Sequence, residues 1–189
     1  MDTGKLGAIA GWSAIVSAVA TIIGLLTLVL FFSLGGIWGT INDVSSVIIA
    51  LSILPVLLVL HHRHRQSASI VSSAALGLGA LGLFIAILFQ TLVIARAISY
   101  AQTAITVPVA FGVLGLSLMA FGYLGITDGT LPRALAWIGL IAGAGYVIVI
   151  IGFILGGQQH PLTAIGGLIA VIFYTPWAVW LGRILLSGR

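Results

Sequence analysis

Three of the chain's four histidines, His61, His62 and His64, stand within four positions, laced with Arg63 and Arg65 in the stretch LVLHHRHRQSAS. Neutral imidazoles are good metal ligands, and His61 and His64, three residues apart, would share one helix face. Two neighbouring guanidiniums repel a cation, and no nearby carboxylate is available to orient the rings. The fourth histidine, His160, is expected on the opposite membrane face. These residues therefore read as no metal site. His61, His62, Arg63, His64 and Arg65 read instead as a cationic anchor against anionic headgroups.

A second set of reactive side chains is scattered along the chain. Asp43, Arg96, Tyr100 and His160 are all expected at the ends of helices on the outer face, with Gln90, Gln102, Gln158 and Gln159 nearby. Asp43 and Arg96 are the only acid and the only base expected there. They could flank a small outward-facing polar pocket, with Tyr100 and His160 as hydrogen-bonding neighbours. Alternatively, Asp43 caps a helix and Arg96 snorkels to the headgroups. A salt bridge between the two is an intermediate case.

Composition limits what such groups can do. The 189 residues are 61% hydrophobic and 5% charged, against roughly 25% charged in a soluble domain. Mean hydropathy is +1.30. So few charges could not cover a soluble surface of this size, and the chain reads as an integral membrane protein. It has no cysteine, which removes disulfides, thiolate metal sites and covalent haem attachment. It has no glutamate, and its acids are Asp2, Asp43 and Asp128 alone. Paired-carboxylate chemistry therefore has almost nothing to use. No nucleophile, cofactor motif or catalytic residue stands out, so an enzyme is not the expectation, and no cofactor is implied. The net charge of +4 reads as basic residues at a membrane face rather than as a nucleic-acid footprint.

Six apolar segments must position these groups, over roughly 6–34, 44–60, 70–95, 105–126, 135–155 and 162–186, within one domain of residues 1–189. Each is near the length of about 20 residues that spans a bilayer. Backbone groups cannot go unpaired in hydrocarbon, so the segments are expected to be helices. The fold class is all-α, a bundle of six transmembrane helices with short loops. The first apolar run reaches Phe32, too long for a signal-peptide core of roughly 7–15 residues, and reads as a retained helix. With the N-terminus inside, Lys5, Arg63, Arg65, Arg133, Arg183 and Arg189 face the cytoplasm and only Arg96 faces out. The bundle is therefore expected N-in and C-in.

Glycine numbers 25, an excess that in membranes accompanies close helix packing. Small residues recur four apart at Gly7/Gly11, Ala75/Gly79, Gly139/Gly143 and Gly152/Gly156, read as contacts within one bundle. Pro55, Pro108 and Pro176 fall in apolar stretches and could kink helices around a cavity. A faint echo joins Trp12, Pro55 and HHRHR to Trp137, Pro176 and Arg183.

From Phe121 the chain reads FGYLGITDGTLPRALAWIGLIAGAGYVIVIIG. The residues Leu131, Pro132, Arg133, Ala142, Gly143, Gly145 and Tyr146, with the closing TPWAVWLGRILL at 175–186, resemble an uncharacterised family of bacterial and archaeal polytopic membrane proteins, a domain of unknown function. The resemblance covers the C-terminal third. It implies a helical bundle in a prokaryotic cytoplasmic membrane, and no activity or site residues.

Two functions fit these readings. One is a non-enzymatic accessory or scaffold subunit of a larger membrane assembly, whose partners are the bilayer and other membrane subunits. The other is a binder or facilitator of an apolar small molecule, a lipid or a quinone, in an inter-helix cavity with a polar mouth at Asp43 and Arg96.

Overall fold

A computed structural model describes residues 3–188; Asp2 and Arg189, both included in the charge count above, lie outside the described residues. The chain is all-helical. It runs through α1 (Thr3–Leu34), α2 (Ile37–His64), α3 (Ser69–Ile94), the single turn α4 (Tyr100–Thr103), α5 (Thr106–Asp128), α6 (Arg133–Gly156), a 3-10 turn (Gly157–Gln159) and α7 (Pro161–Leu186). Six of these helices are long and apolar enough to cross a membrane.

The long helices form a closed ring. Each packs on its neighbours in sequence, and α7 returns against α1. Neighbours run antiparallel: Gly122 faces Ala136 and Leu140, Gly115 faces Gly143, and Gly112 faces Ile150 along the α5–α6 seam. The axis is filled by one cluster to which every long helix contributes, including Ala14, Leu57, Leu83, Leu118, Leu135 and Trp177. Tyr174 closes the ring, donating its hydroxyl to Ser17 Oγ at 2.8 Å between α7 and α1.

Close approach depends on small residues. A Cβ on Gly143 would sit 2.5 Å from the Gly115 carbonyl oxygen, and one on Gly115 would sit 2.7 Å from that of Gly143. Lipid offers helices no hydrophobic drive to associate, so such backbone contact supplies dispersion instead. Of the expected spacings, Gly11, Gly79, Gly139, Gly143 and Gly152 press on neighbouring helices of this chain, whereas Gly7 packs loosely.

Two boundaries differ from expectation in ways that matter. The stretch GGIWGTIND was expected to be a loop, with helix two starting near Val44. Only Gly35 and Gly36 form the turn, at φ 65° and 66°, a conformation open to glycine. The helix starts at Ile37, so Asp43 lies inside it and caps nothing. At the other end, HHRHR was expected to be a loop, but α2 continues to His64. The cationic run occupies the last turn, where positive charge suits the helix dipole. Pro108 sits in the first turn of α5, where no backbone bond is lost. Pro55 and Pro176 lie inside α2 and α7.

Candidate functional sites at the two ends of the bundle

One end gathers the α2–α3 and α5–α6 loops. The last turn of α2 aims His64 inward, fully buried, with its ring stacked on Phe121 at 5.9 Å. His64 Nδ1 lies 2.7 Å from Asp128 Oδ2 at the end of α5. Ser67 donates to the same oxygen at 2.6 Å. The backbone turns after Asp128, and Thr130 donates from its hydroxyl to Asp128 Oδ1 at 2.8 Å and from its amide at 3.1 Å. The carboxylate thus accepts four bonds from two loops and one helix end. Ser67 bonds the carboxylate and not the imidazole, so the Ser67, His64 and Asp128 side chains do not form a nucleophile–base–orienter chain. The arrangement is suited to clamping two loops together.

His64 therefore leaves the expected headgroup anchor, because its ring points into the protein. His62 and Arg65 are exposed, and His61 and Arg63 are partly exposed. Among the described residues, no three His, Cys, Asp or Glu side chains converge as a metal site would require. A cleft of about 290 Å³ at this end lies between the start of α1 and the ends of α2 and α7, with His62 and Arg63 on its wall.

The opposite end carries Asp43. Asp43 is 8% exposed, and the Gln90 side chain of α3 lies beside its carboxylate. It faces a cleft of about 170 Å³ whose walls include Phe31, Gly39, Thr40, Asn42 and Tyr100. The single turn α4 delivers Tyr100. That turn is started by Ser99, whose amide donates to Gln102 Oε1 at 2.7 Å. Tyr100 meets the edge of Phe31 at 5.9 Å between ring centres, and its hydroxyl accepts from Gln158 Nε2 at 3.3 Å. Asn42 spends its amide on the Gly24 carbonyl of α1 at 2.8 Å.

Of the expected polar cluster, the structure thus unites Asp43 and Tyr100 only. Among the described residues, no ion pair joins Asp43 to Arg96. Arg96 is exposed and holds φ 58°, the one positive φ of a non-glycine described residue. Its amide bonds Val93 and that of Ala97 bonds Leu92, both at 2.9 Å. That pattern closes α3 in the Schellman manner, with arginine where glycine is usual. His160 turns away to start α7, its Nδ1 accepting from the Leu162 amide at 3.3 Å.

No family model, characterised protein or solved structure matches this chain.

The residues missed by sequence reasoning were the partners. Asp128, Ser67 and Thr130 looked like turn residues in TDGT and RQSA. The available signal was that Asp128 is one of only three acids in the chain, and a carboxylate beside hydrocarbon needs donors.

Proposed function

We propose that the chain is a non-enzymatic accessory or scaffold subunit of a larger membrane assembly. It would lie in a prokaryotic cytoplasmic membrane with both termini inside, as the bias of basic residues suggests. The C-terminal resemblance to an uncharacterised polytopic family fits this reading.

The observation that carries it is the filled axis. Leu57, Leu60, Leu118, Tyr174 and Leu181 are each no more than 1% exposed, and they occupy the space a channel or internal reaction centre would need. The two end clefts are not lined by Pro55, Pro108 or Pro176, so the proline-centred cavity of the lipid or quinone reading has no support from them. On the outside, α3 exposes Ser73, Ala74 and Gly77, and a Cβ at Gly77 would meet nothing. That short patch of small residues, flanked on the same face by exposed Ile70 and Leu81, is where a partner helix would approach closely.

Native mass spectrometry after gentle extraction from the source membrane tests the proposal. A subunit emerges with other polypeptides in fixed ratio, and Gly77→Leu abolishes their retention without lowering the thermal stability of the chain itself. A chain that emerges alone, with the same mass for wild type and Gly77→Leu, overturns it.

A further inference from the structure

We propose that the cleft at Asp43 binds a small organic ammonium group. Asp43 is a buried residue whose carboxylate lies beside the neutral side chain of Gln90 and has no Lys, Arg or His within ion-pair reach among the described residues. A carboxylate out of water is stabilised by a cation or by several donors. Asp128, at the far end, has four hydrogen-bonding groups around its carboxylate, whereas the neighbour of the Asp43 carboxylate is the neutral Gln90 side chain. The donor nearest in sequence, the Asn42 amide, is committed to the Gly24 carbonyl.

The walls identify the kind of cation. Phe31 and Tyr100 stand edge to face on the same cleft as Asp43. Aromatic faces attract a weakly hydrated ammonium through the ring quadrupole, and a carboxylate beside them supplies the counter-charge. A bare metal ion would instead want several oxygen ligands, best of them carboxylates, and Asp43 is the one acid among the lining residues. The Tyr100 hydroxyl accepts from Gln158 Nε2 at 3.3 Å, which links the ring to the turn that precedes α7. The cleft, about 170 Å³, suits a headgroup-sized ammonium rather than a large drug-like molecule. Such a group could come from a zwitterionic lipid at the membrane surface or from a soluble amine.

The test uses the full chain purified in detergent and titrated calorimetrically with choline. The uncharged isostere 3,3-dimethylbutanol and sodium chloride are run alongside, and Asp43→Asn and Tyr100→Leu are compared with wild type. In a second arm, native mass spectra are recorded from nanodiscs of phosphatidylcholine or phosphatidylethanolamine mixed with phosphatidylglycerol. The proposal expects saturable choline binding, or selective retention of the zwitterionic lipids. Either signal should weaken at least about tenfold in Asp43→Asn and measurably in Tyr100→Leu. Choline binding assigns a soluble amine; retention of zwitterionic lipid alone assigns the headgroup. Equal binding of the neutral isostere, saturation by sodium, signals unchanged by both variants, or no binding in either arm would each overturn it. Tyr100 is 42% exposed, so its variant keeps the test decisive if Asp43→Asn does not fold.

Discussion

His64 and Asp128 are 64 residues apart in sequence and 2.7 Å apart in space, and their contact fastens the α2–α3 loop to the α5–α6 loop. The histidine is fully buried and the carboxylate side chain is 12% exposed. His64→Ala removes the imidazole and leaves Asp128 with Ser67 and Thr130 alone. The expected loss of stability is about 2–3 kcal/mol, measured by thermal or denaturant unfolding in detergent. His62→Ala, two positions away and exposed, should stay within roughly 0.5 kcal/mol of wild type. Equal effects from the two substitutions would show that the clamp contributes nothing.

The Gly115–Gly143 contact sets the distance between α5 and α6. A side chain at either position strikes the opposite backbone, which cannot yield as a side-chain tip can. Gly115→Leu should therefore lower stability by more than about 3 kcal/mol or prevent folding. Gly167→Ala, where an added Cβ meets nothing, should be neutral or stabilising by up to about 1 kcal/mol. Parallel expression and unfolding assays of the two variants check the contrast.

Arg96 occupies a left-handed backbone conformation that costs an L-residue roughly 1 kcal/mol relative to glycine. Arg96→Gly should raise stability by about that amount, and Arg96→Val should lower it by more, because a β-branched side chain fits that region worst. A midpoint that falls in Arg96→Gly would mean that the guanidinium contributes more than its backbone costs.

The Tyr174–Ser17 hydrogen bond joins the first and last long helices. Ser17 also donates to the Ala14 carbonyl at 2.8 Å, so its oxygen keeps a partner when the tyrosine hydroxyl is lost. Tyr174→Phe is expected to cost about 0.6 kcal/mol, the usual worth of an interhelical hydrogen bond in a membrane. A double-mutant cycle with Ser17→Ala should return a coupling of similar size. A coupling near zero would leave ring closure to packing alone.

Much of the fold could be read directly from the residues. Each spanning segment carries its own sum of apolar side chains, and the backbone must pair within it, so helix number and rough position follow locally. The errors came at polar residues inside helices. Asn42 and Asp43 looked like a boundary because they interrupt the apolar run, yet α2 contains them, since Asn42 donates to Gly24 and Asp43 lies beside Gln90. His61 to His64 looked like a loop for the same reason. The Asp43–Arg96 pairing failed because Arg96 closes α3 with its backbone and leaves its side chain in the open.

By itself, the sequence determined that this is a six-helix membrane protein with short connections, poor in acids and without cysteine. Only the tertiary structure decided which polar groups meet. In a soluble protein, a helix announces its inner face by a stripe of apolar residues. In lipid both faces are apolar, so the residues of α5 alone do not say that Gly115 and Phe121 turn inward while Tyr123 turns outward. That choice rests on shape, on glycine meeting backbone along each seam. Once the ring closes, it carries His64 to Asp128 at one end and Asp43 to the Phe31–Tyr100 cleft at the other.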